Sequence, residues 1–145
     1  MSTNATIIAK RANGRYGAIH CQWDGYVEHA GAILLKHYDT LEKVEALLAL
    51  GDISQLAPRA TPTGPHSYLK PEADVVVAYH RDRGEPAQPA SEADTAAEQV
   101  ETYGNSYSYI FEDGKWTFTM GAGEPIEDLA ADIEKLRAKG KHIFA

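Results

Sequence analysis

The sequence predicts an α+β fold in a single domain, residues 1–145, because strand pairs joined by tight-turn dipeptides alternate with segments of helical periodicity. Asn13-Gly14 and Asp113-Gly114 each lie between two short segments rich in β-branched or ring residues, as in β-hairpins. Other segments carry apolar residues at the three-and-four spacing of helices with one buried side. We therefore expect an antiparallel or mixed sheet, built from two β-hairpins and a central strand, that packs against three to four helices.

Local signals place most of these elements along the chain. Asp24 is predicted as the N-cap of the first helix, and Asp39 with Glu42 forms a possible capping box for the second. Val75, Val76 and Val77 predict a short strand that is buried on both faces and therefore central in its sheet. The expected hairpin strands are 6–10 with 16–22 and 106–111 with 115–120, and the expected helices are about 27–38, 40–50, 91–100 and 125–139.

Two segments differ from the rest in composition. Residues 57–73 are rich in proline, which precludes regular structure and predicts an ordered meander or a mobile loop. Residues 84–105 form an acidic segment without Lys or Arg. The remainder of the chain shows no boundary that would divide it into two domains.

Charge and composition exclude several classes of protein. The formal net charge of −7 opposes broad binding to phosphate backbones, so direct nucleic-acid binding is not expected. The longest strongly apolar stretch is much shorter than the roughly 20 residues that cross a bilayer, and the N-terminus lacks the pattern of a signal peptide. Cys21 is the only cysteine, so no intramolecular disulfide can form. We expect a cytoplasmic protein without a membrane partner.

The richest stretch for function is the predicted junction between the first hairpin and the first helix. Trp23, Asp24 and Tyr26 could form a small recess in which rings frame a carboxylate, and Glu28 and His29 follow on the helix. Such a recess suits a sugar, a nucleobase or a cationic group. The alternative is that the two rings pack the sheet against the helix while Asp24 caps it.

No motif supplies a complete catalytic constellation. Asp24 and Glu28 lie four residues apart, as an acid and a base on one helix face would, but acids near a helix N-terminus also simply favour its positive end. His80, Arg81 and Asp82 match the start of a protein-kinase catalytic loop, but the leucine and asparagine that should follow are missing. We therefore assign no catalytic residue, and we consider an enzyme the less favoured class.

Metal and cofactor sites are not expected either. His29 and His37 are eight residues apart, which is a poor spacing for a zinc site, and His20 and Cys21 point to opposite faces of a predicted strand. Cys21 is interpreted as a small core residue rather than a nucleophile.

The acidic segment offers a second candidate surface, formed by Glu92, Asp94, Glu98 and Glu101. It could mimic nucleic-acid phosphates and occupy a basic groove on another protein, because complementary charge steers association. The alternative is a solvated face that keeps the protein soluble.

The N-terminal pattern resembles a known group of sequences. The motif runs His20-Cys21-x-Trp23-Asp24-Gly25-Tyr26-x-Glu28-x-x-Gly31-x-x-Leu34-Leu35-x-His37-Tyr38. It is similar to a family of small uncharacterised proteins encoded by tailed bacteriophages and prophages. The resemblance is specific over about the first 56 residues and loose through the later hairpin. It implies a genetic setting and a bacterial host, and it implies no catalytic residues.

Three functional hypotheses follow. The first is a non-enzymatic, phage-type accessory protein that binds a host protein, such as a defence or regulatory factor, through the acidic segment or the ring-rich junction. The second is a small-ligand or nucleotide-binding protein, or a weak hydrolase, with a pocket at residues 23–28. The third is a structural homo-oligomer built through an exposed sheet edge.

Overall fold

The framework of the protein is a mixed β-sheet with helices on both faces, seen in a computed structural model that describes residues 3–144. Within this range the sheet has eight strands, and seven of them run in the order β4-β3-β2-β1-β6-β7-β8, with β5 beside β2. The strands are β1 Ala5–Lys10, β2 Tyr16–Trp23, β3 Ile53–Gln55, β4 Val77–Ala78, β5 Ser91–Ala93, β6 Tyr107–Glu112, β7 Lys115–Thr119 and β8 Glu127–Asp128. The helices are α1 Ala32–His37, α2 Leu41–Leu48, α3 Ala96–Tyr103 and α4 Leu129–Ala138.

The predicted α+β class and both hairpins are confirmed. β1 and β2 pair antiparallel around Asn13-Gly14, and β6 and β7 pair antiparallel around Asp113-Gly114. The two hairpins join through a parallel pairing of β1 with β6, in which Ile7 lies opposite Tyr109. The free edge of β2 is shared by β3, which runs parallel to it, and β5, which runs antiparallel.

The two faces of the sheet carry cores of different size. Tyr109 and Phe111 face the larger core, which contains the buried sides of α1, α2 and α4. The ring of Phe111 lies 5.1 Å from that of Trp116 on the neighbouring strand, as the alternation of this hairpin predicts. Ile110 points to the opposite face, where Val100 of α3 covers it.

Two predicted helix caps are wrong. Asp24 does not cap a helix: its backbone has a φ of +56°, and its carboxylate accepts a hydrogen bond of 2.9 Å from the side-chain amide of Gln55. A π-helical turn, Val27–Gly31, begins after Tyr26 without a side-chain cap and continues into α1. For α2 the cap is Thr40, whose hydroxyl accepts a hydrogen bond from the backbone N–H of Lys43.

The valine-rich strand is at the edge of the sheet, so the prediction that it is central is wrong. β4 comprises only Val77–Ala78 and is the terminal strand of the order. Val75 and Val76 are nevertheless buried, because the proline-rich segment lies against them. Arg59 forms a parallel bridge with Val75, and its carbonyl accepts a hydrogen bond from the Val76 N–H. A covering segment, rather than a central position, therefore buries these valines.

Two helices begin later than predicted. Residues 91–93 pair with β2 as β5, so α3 begins only at Ala96, and Thr95 caps it. Residues 127 and 128 pair with β7, so α4 begins at Leu129 with Asp128 as its cap. In both cases the local pattern assigns these residues to the helix, but in the structure they pair with a strand from a distant part of the chain.

The proline-rich segment, 57–73, is an ordered meander held together by one carboxylate. Glu72 accepts hydrogen bonds from the backbone and hydroxyl of Thr63, from the Gly64 N–H and from the Arg59 guanidinium. The Thr63 hydroxyl contributes most and Arg59 next, and together they lower the pKa of Glu72 to about 2. Between residues 3 and 144, no helix combines the length and apolar character needed to cross a bilayer.

Candidate functional site

The ring-rich junction lies at the end of β2, where the chain leaves the sheet. Trp23 pairs with Gln55 of β3, and its side chain is 47% exposed. Tyr26 is 37% exposed on the far side of the turn. The two rings therefore do not pack the sheet against the helix, and the alternative in which both are core residues does not hold.

Close packing of the backbone fixes the turn between these rings. The Gly25 N–H donates a hydrogen bond to the Thr3 carbonyl, and the Gly25 carbonyl accepts one of 2.6 Å from the Tyr109 hydroxyl. A Cβ atom at position 25 would lie 2.8 Å from the carbonyl carbon of Asn4 and from the Cβ of Ala5. Only glycine fits here without displacing the start of β1.

The π-helical turn carries Glu28 and His29 away from the larger core. Val27, Ala30 and Gly31 of this turn are buried, and a Cβ at Gly31 would lie 3.0 Å from a Leu129 methyl group. Glu28 and His29 lie on the other side of the turn, where both are half-buried. Turns of this type are rare and are found frequently at functional sites.

Beside the junction lies a pocket of about 250 Å³. One wall is formed by His29 and Phe144, and another by Gln55 and the residues that follow it. The proline-rich segment and the start of the valine-rich stretch close the opposite side. The remaining lining residues are Leu56, Ala57, Pro58, Pro71, Glu72, Ala73, Asp74, Val75 and Val77.

His29 lines this pocket and has a buried ring nitrogen, Nε2, without a hydrogen-bond partner in the described part of the chain. Burial lowers the pKa of His29, and the nearby charge of Asp24 offsets this only in part, so the neutral form of the ring is favoured. Its ring lies 4.7 Å from that of Phe144, whose backbone N–H donates to the Glu28 carbonyl.

The structure brings together only part of the predicted recess. His29 lines the pocket, while Trp23 and Tyr26 lie exposed next to it. Asp24 is half-buried and engaged with Gln55, and Glu28 is half-buried, with its carbonyl accepting a hydrogen bond from the Phe144 N–H. Sequence reasoning missed Gln55, Phe144 and the proline-rich wall, because all of them are distant in sequence from the junction.

The expected core role of Cys21 agrees with its position. The side chain is fully buried, and burial raises the pKa of the thiol to about 12. His20 points to the opposite face of the sheet, where its ring contacts Gln22 and Asn105. In the part of the chain that the structure describes, no group of three or more His, Cys, Asp or Glu side chains is placed to hold a metal ion.

The predicted acidic surface is divided by ion pairs. Glu92 pairs with Arg11 at 3.2 Å, and Asp94 lies 3.6 Å from Arg15, so the turn of the first hairpin compensates both carboxylates. Glu98 and Glu101 are exposed on α3. Glu101 also lines an apolar groove of about 250 Å³. The other residues of the groove are Ala96, Ala97, Val100, Ile110, Thr119, Gly121, Ala122, Gly123, Glu124 and Ile126.

A buried charged network lies behind the pocket, at the three residues that resemble a kinase loop. The carboxylate of Asp82 accepts hydrogen bonds from the His66 ring at 2.8 Å, the Ala78 N–H at 2.8 Å and the Arg81 guanidinium at 2.7 Å. The other ring nitrogen of His66 accepts the Glu72 N–H. Both ring nitrogens of His66 and both carboxylate oxygens of Asp82 are therefore used in hydrogen bonds. The His–Asp pair joins the proline-rich segment to β4 and has a structural role.

No protein-family model, curated protein or solved structure significantly matches this chain. The resemblance to phage-encoded proteins therefore stays a prediction from the N-terminal motif.

Proposed function

We propose that this chain is a non-enzymatic accessory protein of the phage type, which acts in the host cytoplasm by binding a host protein through the ring-rich junction. The observation that carries the proposal is the exposure of Trp23 and Tyr26 beside a pocket. Tryptophan and tyrosine are the residues most often found at the energetic centres of protein interfaces. The pocket next to the two rings would accept a side chain of the partner between His29 and the proline-rich wall.

Rigidity of the junction supports this proposal. Its backbone is fixed by the contacts of Gly25 with β1 and with the Tyr109 hydroxyl. A partner would therefore bind two rings whose backbone is already fixed, which limits the conformational entropy lost by the backbone on this side of the interface.

The test is capture of partners from a bacterial host lysate by the tagged protein and by Trp23→Ala/Tyr26→Ala. We expect the double variant to lose the partner, because removing two central rings typically weakens an interface by at least about 2 kcal/mol, or roughly thirtyfold. The matched control is Met120→Ala/Ile126→Ala, which removes two exposed apolar side chains on another part of the surface. Equal capture by wild type and by the Trp23/Tyr26 variant would contradict the proposal.

The version of this hypothesis in which the acidic surface binds the partner is best tested on Glu98 and Glu101 alone, rather than on all four acids. Reversal of Glu92 or Asp94 would also break an ion pair with Arg11 or Arg15. Glu98→Lys/Glu101→Lys reverses charge without touching either pair. Loss of a salt-sensitive partner in this variant, with capture unchanged in Trp23→Ala/Tyr26→Ala, would assign partner binding to α3.

One observation favours a small-ligand function as a second candidate, namely the unpartnered Nε2 atom of His29 at the pocket. The Nε2 atom is closed off from solvent, so a flat ligand with one hydrogen-bond donor or acceptor would reach it only on rotation of the His29 ring into the pocket. Titration with nucleobases and simple sugars, followed by tryptophan fluorescence, tests this. Binding that is lost in His29→Ala supports it, and no saturable response up to about 10 mM, a binding free energy near −3 kcal/mol, argues against it.

A further inference from the structure

A second cluster of rings, which are half-buried, is built around an exposed arginine. Arg83 ends the short 3₁₀ turn Arg81–Arg83, and Gly84 follows it with a φ of +75°. The guanidinium carbon of Arg83 lies 4.4 Å from the ring centre of Tyr68 and 5.3 Å from that of Tyr79. The two rings are 5.9 Å apart and inclined by 31°. One guanidinium thus contacts two tyrosine rings.

This arginine is also unusual in its charge environment. The chain contains six arginines, and Arg11, Arg15, Arg59, Arg81 and Arg137 each form an ion pair with a carboxylate. Within residues 3–144, Arg83 forms no ion pair, although the chain has 21 acidic residues. A guanidinium without an ion pair keeps its N–H donors available for a ligand.

The buried network positions the whole cluster. The backbone carbonyl of Asp82 accepts a hydrogen bond of 2.8 Å from the Tyr68 N–H, and its carboxylate binds His66 and the Ala78 N–H. The segments that carry Tyr68, Tyr79 and Arg83 are therefore tied to one buried residue. The carboxylate of Asp82 is engaged by Arg81 and His66, and within residues 3–144 it forms no ion pair with Arg83.

An open recess of about 490 Å³ lies next to the guanidinium, lined by Ser67, Tyr68, Leu69, Asp82 and Arg83. Leu69 is 89% exposed at its rim. The recess thus combines an apolar surface with an available guanidinium fork.

We propose that Arg83 forms an oxyanion site that binds the phosphate group of a small phosphate monoester, whose apolar or aromatic body lies against Tyr68 and Leu69. The planar fork of arginine matches two oxygens of one phosphate, and a dianionic phosphate attracts the guanidinium more strongly than a singly charged carboxylate does. This site is separate from the Trp23 junction, so the proposal can be correct or wrong independently of the proposed function.

The probe is phenyl phosphate, titrated into the full-length protein and followed by isothermal titration calorimetry and by NMR. We expect saturable binding in the millimolar range or tighter, weakened at least tenfold by Arg83→Gln. Arg83→Lys should also weaken binding severalfold, because it keeps the charge and removes the fork. Tyr68→Leu should weaken it about two- to fivefold through loss of the cation–π contact. The control Arg15→Gln removes an arginine elsewhere and should leave affinity unchanged.

Two further probes identify the group that is recognised. Inorganic phosphate should compete with phenyl phosphate, and benzoate should bind more weakly than either, because its carboxylate carries one charge. No saturable binding of phenyl phosphate up to about 10 mM would overturn the proposal. So would wild-type affinity in Arg83→Gln, or equal affinity in wild type and Arg83→Lys. Circular dichroism of both arginine variants checks that they fold. If Arg83→Gln does not fold, the affinity of Arg83→Lys still tests the proposal.

Discussion

Gly25 is the residue on which the geometry of the junction depends most directly. Its missing side chain allows the turn to lie against the backbone of β1, with 2.8 Å between a would-be Cβ and the Asn4 carbonyl carbon. We expect Gly25→Ala to lower the free energy of unfolding by about 1–3 kcal/mol, because backbone atoms rather than a flexible side chain must move. Urea denaturation measures this change.

The control for this substitution is Gly64→Ala in the proline-rich segment. There the nearest atom to an added Cβ is a Glu72 carboxylate oxygen at 3.7 Å, an ordinary contact. We expect a change within about 0.5 kcal/mol. If Gly25→Ala were as stable as Gly64→Ala, the close approach at the junction would not hold the turn.

At the same scale, Asp24 shows why the candidate site could be predicted only in part. The tryptophan-aspartate-glycine-tyrosine sequence does mark a strand-to-helix junction, and the exposed rings are there. The role of Asp24 as a partner of Gln55, 31 residues later, has no local signal. Aspartate both caps helices and tolerates a positive φ, so its identity fits either conformation.

Among the helices, α2 offers the clearest element-scale prediction. Thr40 accepts a hydrogen bond of 3.3 Å from the Lys43 N–H and satisfies one of the unpaired donors of the first turn. We expect Thr40→Ala to lower the free energy of unfolding by about 1 kcal/mol. Asp39→Ala removes an exposed ion pair with Lys43 and should have a smaller effect. If thermal or urea denaturation showed a larger loss of stability in Asp39→Ala than in Thr40→Ala, Asp39 would be the cap.

The elements differ in how far their local sequence determines them. Both hairpins could be predicted because the turn dipeptide and the alternating strands are contiguous. β5 and β8 have two or three residues each, and they are strands only because β2 and β7 pair with them. Val75 and Val76 are buried by a proline-rich segment, which a pattern of apolar residues cannot distinguish from burial within a sheet.

At the scale of the molecule, the strand order depends on contacts between distant segments. The parallel pairing of β1 with β6 joins residues about one hundred positions apart, and no periodicity within either strand specifies it. The pocket is likewise assembled from the junction, the proline-rich segment and Phe144. Its position near the predicted recess follows from the junction, and most of its lining comes from segments that are distant from the junction in sequence.

The whole molecule should lose stability in acid, because two carboxyls hold the proline-rich segment in place. Burial raises the pKa of Asp82, but hydrogen bonds from Arg81, the Ala78 N–H and His66 outweigh burial and lower it overall. The pKa of Glu72 falls to about 2 through Thr63 and Arg59. Both groups therefore bind protons more weakly in the folded chain than in the unfolded chain. Their stabilisation is present above about pH 5 and is lost progressively toward pH 2.

Urea denaturation at a series of pH values, from neutral to about pH 3, measures this loss through the linkage between protonation and folding. We expect the free energy of unfolding to decrease as the pH falls, and to decrease less steeply in Glu72→Gln, which has no carboxyl to protonate. Thr63→Val keeps the carboxyl and removes the hydroxyl that lowers its pKa most, so it should flatten the same part of the profile. If both variants kept the wild-type slope, the acid sensitivity would have to arise outside the proline-rich segment.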